Sequence, residues 1–348
     1  MLYGEGKMNL CRKGINAKSP DRSAAGRMSP FTLLILLMLL GTVSFAEDES
    51  LKAREEQHLV LGFMNDVFSD VNVADALAAT KVWATELKRK KGFEGPAEAV
   101  VYTELNDALE ALNTKRVDML VLVSWQYLQL INQADIEPHF VTGRGENIAE
   151  ETILLVHRNS GIESLEDLKG KKLLILNNIR AALGRMWLET CLMEKGISDL
   201  DSYFSKIAGT QKSSKTVLPV FFGQSDACLI HRSGFDTMSE LNPQLKRDLK
   251  IIDSSPPILP SILCVRRDYH EPMKSALIDA MAHLHDEPRG LQILTLFKVN
   301  QVHRFNESYL EAARELLAKH SALKELMEKR ETDDTSPPTH ISRRVNAQ

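Results

Sequence analysis

The chain has 348 residues, with 43 Lys and Arg against 47 Asp and Glu, for a formal net charge of −4. Its hydrophobic share of 43% and charged share of 26% are those of an ordinary globular protein, which excludes collagen-like and wholly disordered classes. There is no basic excess to neutralise a phosphate backbone, so nucleic acid is not an expected partner, and at roughly 150 residues per domain the length predicts about two domains.

The first apolar block, residues 31–43 (FTLLILLMLLGTV), follows a basic leader that carries Lys7, Arg12, Lys13, Lys18, Arg22 and Arg27. It is followed by Ser44, Phe45 and Ala46 and then by the acidic Glu47, Asp48 and Glu49. A basic leader, a short apolar core and small residues before a polar stretch predict a secretory signal peptide over 1–46, cleaved after Ala46. The apolar run is shorter than the roughly 20 residues a membrane span needs. The expected location is periplasmic.

From His58 onward, strand-like and helix-like blocks alternate. Residues 58–63 (HLVLGF), 97–102 (AEAVVY) and 119–123 (MLVLV) read as strands. The last is a continuous apolar run, as expected of a strand covered on both faces. Helices are predicted over 73–90, 105–113 and 125–132, the first closed by a basic last turn and Gly92. A second unit begins near Glu151. Strands are predicted over 152–157, 171–176, 249–253 and 261–266, with an amphipathic helix over 180–195 closed by Gly196. Ser164 and Asp167 form a capping-box-like pair before a short helix. Two C-terminal helices follow, over 273–286 and 307–329, and the polar tail 331–348 is expected to be disordered. The alternation predicts an α/β fold of parallel sheets with helices on both faces.

Cys11 leaves with the signal peptide, and Cys191, Cys228 and Cys264 remain at wide spacing. One disulfide plus a free thiol, or three buried thiols, fit that count. No CxxC or HExxH occurs, so no metal or other cofactor is expected. No Ser/His/Asp arrangement or paired carboxylate stands out, and the cysteines lie in apolar surroundings. An enzyme is therefore not expected.

Four blocks carry a family resemblance. Residues 151–175 contain Arg158, Ser160, Gly161, Ile162, Ser164, Leu165, Asp167, Leu168, Lys169, Gly170 and Lys171 in the pattern R-x-S-G-I-x-S-L-x-D-L-K-G-K. Residues 220–227 are similar to a V-x-x-G-x-x-D-A block, residues 105–118 to a helix ending in V-D, and residues 254–260 to a proline-rich return segment. Taken together, in order and spacing, they resemble the exported solute-binding proteins of ABC transporters, in the phosphate/phosphite/phosphonate branch. The resemblance covers roughly residues 58–300.

This resemblance implies the type-2 periplasmic binding fold: two lobes, each a mostly parallel sheet flanked by helices, joined by two hinge crossings. The first lobe is expected over 58–149 plus 250–330 and the second over 150–249. It also implies a binding protein that captures a small anionic solute, phosphonate- or phosphate-like, between the lobes and closes on it. The implied partner is an ABC permease in the inner membrane, with the protein acting as a monomer. The alternative is a periplasmic ligand sensor that presents its closed form to a membrane receptor such as a histidine kinase.

Ligands of open α/β sheets sit beyond the strand carboxyl ends, near helix N-termini. Candidate ligand-binding residues follow from that rule. Asn65 follows the first strand. Trp125 and Tyr127 follow the strand 119–123, where the family often has an aromatic. His231 follows the strand 227–230, and Asp226 lies in the G-x-x-D-A block. Family phosphonate binders carry a Ser-Thr-Ser-Gly-like segment after the K-G-K strand. This chain has Asn177, Asn178, Ile179 and Arg180 there, which replaces hydroxyls with Asn178 as a cap and Arg180 as a guanidinium fork.

Overall fold

The structure is a computed structural model that describes residues 58–68, 72–176 and 182–335. The expected signal peptide, Cys11, Asn178, Arg180 and the tail beyond 335 lie outside the described residues. No helix among the described residues is long and apolar enough to cross a membrane.

Two mixed sheets organise the chain. The first has six strands: β1 (Val60–Met64), β2 (Glu98–Tyr102), β3 (Met119–Val123), β4 (Ile136–Gly143), β10 (Ser261–Arg266) and β11 (Gln301–Arg304). Their order across the sheet is β11-β4-β10-β3-β1-β2. The second has five strands: β5 (Thr152–His157), β6 (Lys172–Leu176), β7 (Lys206–Thr210), β8 (Ala227–His231) and β9 (Leu249–Ser254), in the order β7-β6-β8-β5-β9. Every residue of β1, β3 and β10 is buried, as expected of strands covered on both faces.

The helices in chain order are α1 (Val73–Lys90), α2 (Leu105–Asn113), α3 (Ser124–Leu130), α4 (Ala182–Glu194), α5 (Leu200–Tyr203), α6 (Ser213–Phe221), α7 (Arg232–Leu241), α8 (Pro243–Asp248), α9 (Met273–Ala282), α10 (Pro288–Leu296) and α11 (Glu311–Thr335). Helix α1 shows how sequence sets these boundaries. The Asn72 side chain accepts the Asp75 amide at its start, and Lys88, Arg89 and Lys90 complement the dipole at its end. Its buried Ala76, Thr80, Trp83, Ala84 and Leu87 recur at helical spacing on the face that packs on the sheet.

Three features differ from the sequence reading. First, parallel pairing is confined to β2-β1-β3 and β7-β6-β8, and the remaining neighbours pair antiparallel. Each sheet therefore contains more antiparallel pairing than the strand–helix alternation predicts. Strands β5 and β10 enter the sheets directly from the crossing segments, with no helix to reverse them. Second, β9 pairs with β5 in the second sheet, so the chain returns to the first sheet after Ser254 and not at 250. Third, α11 runs to Thr335, past the expected start of the tail at 331, and does not stay with the first sheet. Its Ala313 and Leu316 are buried in the core of the second sheet, and His320 meets Glu189 of α4 at 3.2 Å.

The crossings are residues 144–151 and 255–260. They pair through a bridge between Glu150 and Ile258, with N–H to O distances of 2.9 and 3.0 Å. Ser255 fastens the second crossing to β5. Its Oγ accepts the Thr152 amide at 2.9 Å, and its own amide donates to the Thr152 carbonyl at 2.8 Å.

Candidate functional site

A cavity of about 360 Å³ is lined by residues from elements of both sheets. From the first sheet come Val123, Trp125, Thr142, Gly143, Lys298 and Val299. From the second come Thr152, Leu176, Leu183, Ser213, His231, Ser233 and Thr237. The crossings supply Arg144, Asn147, Glu150, Ile258 and Pro260. These positions follow the carboxyl ends of β3, β6 and β8, where parallel strands leave helix starts and loops free for a ligand.

Trp125 is placed by a buried polar relay behind it. Gln126 accepts the Val123 amide through Oε1 at 3.2 Å and donates through Nε2 to the Asp66 carboxylate. Asp66 is buried, and that burial raises its carboxyl pKa to about 6, only partly offset by the bond from Gln126. The relay ties the turn after β1 to the first turn of α3 and so fixes the aromatic ring at the cavity. The buried Trp125 Nε1 has no hydrogen-bond partner among the described residues.

Lys298 lies between α10 and β11. It occupies the left-handed region, with φ +58°, at the position after the helix C-cap. Its amide donates to the Thr295 carbonyl, and the Val299 amide donates to the Leu294 carbonyl, both at 3.0 Å. That is the Schellman arrangement, in which glycine is the usual occupant. A lysine here costs backbone energy that glycine would not. Arg144 lies beside it, its Nε donating to the Lys298 carbonyl at 2.9 Å.

Glu150 is the acidic residue of the lining, and its charge is already engaged. One carboxylate oxygen accepts the Ser233 amide at 3.1 Å and the other the Ser233 hydroxyl at 2.6 Å, at the start of α7. Next to it, Arg232 binds Glu151 at 2.6 Å. The α7 N-terminus thus has an internal anion. On the second sheet, Gly184 lets α4 press against β5: a Cβ there would lie 2.5 Å from the Thr152 hydroxyl oxygen.

Of the residues singled out from sequence, Trp125 and His231 line the cavity. Asn65 sits in the turn after β1 and is not among the lining residues. Tyr127 is buried in the core of the first lobe, its ring 6.2 Å from that of Phe305. Asp226 precedes β8, at the amino ends of the strands, and accepts the Lys172 amide at 2.8 Å. That makes it a strap between β6 and β8, away from the cavity. Asn178 and Arg180 lie outside the described residues, although Leu176 before them and Leu183 after them both line the cavity. Sequence reasoning missed Arg144, Glu150, Ser233 and Lys298. The one local signal was Lys298, a cation in the turn closing an apolar helix, and nothing in the sequence linked it to Trp125.

Cys191, Cys228 and Cys264 form no disulfide. Burial raises the Cys191 thiol to about 11 and pushes Cys228 and Cys264 up as well, so none is a thiolate nucleophile at neutral pH. No cluster of metal-ligating side chains occurs among the described residues.

No curated protein matches the chain. Among solved structures, the fold is similar to a Xanthomonas citri protein bound to ATP, at 18% identity and a TM-score of 0.59 over 77% of this chain and 98% of that one. It is similar to a binding protein component of an ABC phosphonate transporter from Pseudomonas aeruginosa, at 16% identity and TM-score 0.53 over 80% and 99%. It is also similar to PhnD1 of Prochlorococcus marinus in complex with methylphosphonate, at 17% identity and TM-score 0.54 over 76% and 99%. At these identities the likeness establishes the shared type-2 periplasmic binding fold. The profile of periplasmic phosphonate substrate-binding proteins of ABC transporters matches residues 67–310, well over half of the chain. The chain therefore belongs to the family of periplasmic phosphonate substrate-binding proteins of ABC transporters, a family of transport proteins and not of enzymes.

Proposed function

We propose that this protein is exported by way of residues 1–46, binds a small oxyanion of the phosphonate or phosphate class in the cavity between the two sheets, and passes it to a membrane permease. The observation that carries this reading is a donor-rich stretch of wall made by Arg144 of the first crossing with Trp125 and Lys298 of the first lobe. Arg144, Lys298 and the unpartnered indole N–H of Trp125 can donate hydrogen bonds and cannot accept them. Such a wall suits a ligand made of acceptors. Opposite it, Ser213 and His231 can donate to the same ligand. Glu150 opposes an anion by its charge, but both of its oxygens are held by Ser233 at the start of α7, where the helix dipole offsets part of that charge. Asn178 and Arg180, between Leu176 and Leu183 in sequence, are proposed as further ligand-binding residues. Binding draws the two sheets together about the paired crossings, as in other hinged pairs.

The test is a thermal-shift and calorimetric panel of phosphate, phosphite, several phosphonates, sulfate, carboxylates and amines on the purified protein. At 100 times its dissociation constant, a bound ligand adds about 2.7 kcal/mol to the folded state. Phosphonate or phosphate should shift Tm, and the Arg144→Ala, Lys298→Ala double variant should lose that shift. If only amines or uncharged solutes stabilise the protein, the reading is wrong.

A further inference from the structure

A second, smaller cavity of about 60 Å³ lies in the first lobe beside the one already described. Its walls are almost wholly apolar: Phe63, Val67, Trp83, Val121, Leu263, Met281, Leu284, Ile293, Leu294 and Phe297, with few polar groups. Thr142 and Val299 line both cavities, so the two are neighbours with a common wall. The turn at Lys298 divides them. Phe297 faces the apolar cavity, Lys298 the polar one, and Val299 both. Phe297 also stacks on Phe63 with ring centroids 5.7 Å apart, and the two rings stand together in the apolar wall.

A dry void inside a core removes packing partners from its lining and costs stability, and natural cores keep such voids few. This one adjoins a polar cavity across a single pair of residues, at the point where the backbone already accepts a left-handed lysine. We infer that the apolar cavity is a subsite for an alkyl substituent of the bound solute. The ligand class is then an amphiphilic oxyanion: a charged head against Arg144 and Lys298, and an unbranched chain of a few carbons passing Thr142 and Val299 to lie among Leu263, Leu294 and Phe297. This inference rests on the oxyanion reading for the head and adds the tail.

The experiment is a calorimetric series of methyl-, ethyl-, n-propyl- and n-butylphosphonate on the full protein, the Val121→Ile variant and the Met281→Phe variant. The two substitutions fill the apolar cavity from different walls, so one misfolded variant does not remove the test. In the unaltered protein, affinity should rise about fourfold per added methylene until the space is full. In either filled variant, methylphosphonate should bind as before and the gain with length should vanish. Affinity that is flat or falls with chain length, or a gain that survives in both variants, overturns the inference. If no phosphonate binds at all, the head-group reading has failed and the tail site is read alone, from amide chemical shifts during titration with methanol through 1-butanol. Shifts that grow with chain length at Val121, Leu263 and Leu294, and vanish in the filled variants, uphold the subsite; their absence overturns it.

Discussion

Glu150 and Ser233 are joined twice, by the Ser233 amide at 3.1 Å and the Ser233 hydroxyl at 2.6 Å, each to a different carboxylate oxygen. This contact binds the first crossing segment to the start of α7 and places a negative charge where the helix dipole favours one. The same residue pairs with Ile258 on the second crossing. The first crossing is therefore anchored to the second lobe by a side chain that also lines the cavity.

Glu150→Gln keeps the size and one acceptor but removes the charge. Capping losses of this kind run to about 1 kcal/mol, so denaturant unfolding should register a modest loss of stability. Oxyanion affinity should rise, because a like charge leaves the cavity wall, and the gain should shrink at high salt as the remaining electrostatics are screened. Calorimetry at two ionic strengths measures both effects.

Lys298 allows stability and binding to be separated. Replacing it with glycine relieves a left-handed residue and should stabilise the fold by about 1 kcal/mol. The same change removes a cavity cation and should weaken phosphonate binding by about tenfold or more, the scale of a hydrogen bond to a charged group. A variant that is more stable and binds as before would show that Lys298 has no part in holding ligand.

Asp66 predicts a pH dependence with a definite sign. Its folded pKa lies near 6, above the ordinary carboxylate value, so the fold favours its neutral form. Its contribution to stability is full below about pH 4 and is lost as the pH rises through about 6. Asp66→Asn should therefore be more stable than the unaltered protein at pH 7, by roughly 2–3 kcal/mol, and the difference should close on acidification to pH 4. Chemical denaturation at pH 4, 5.5 and 7 checks it. If the difference instead widens towards pH 4, the assignment is wrong.

Asp118 tests the opposite end of the sheet. Its two oxygens take the Val60 amide at 2.8 Å and the buried Arg266 guanidinium at 3.0 Å. Asp118 precedes β3 and Val123 ends it, so this ion pair and the cavity lie at opposite ends of one strand. Arg266 keeps a second carboxylate, Asp268, at 3.0 Å, but the Val60 amide loses its acceptor, so Asp118→Ala should cost about 1–3 kcal/mol. Phosphonate affinity, measured under conditions where the variant remains folded, should be unchanged.

Some of this was legible in the amino-acid order and some was not, and the division has a physical cause. The continuous apolar run of β3 marked a strand covered on both faces, and the apolar centres of β1, β5, β6 and β10 marked strands, because burial favours apolar side chains. The order and spacing of short blocks were enough to identify the family. Strands β4, β7 and β11 were not found, since Glu137, His139 and Thr142, or Lys206 and Thr210, interrupt the hydrophobic pattern at half-covered positions. The site was legible only in part. Position after a strand pointed to Trp125 and His231, but the same rule also gave Tyr127. Two residues of helical rotation carry that ring away from Trp125 and into the core. Asp226 was misplaced because a sequence motif does not say which end of a strand faces the cavity. Arg144, Glu150 and Lys298 sit on turns and crossings, which carry no periodicity, and about 150 residues separate Arg144 from the carbonyl it holds at Lys298. The chain order alone determined the α/β class and the family, because these depend on local hydrophobic pattern and block spacing. The tertiary structure decided the donor-rich wall, the engaged carboxylate and the apolar side cavity, because each arises where distant segments meet.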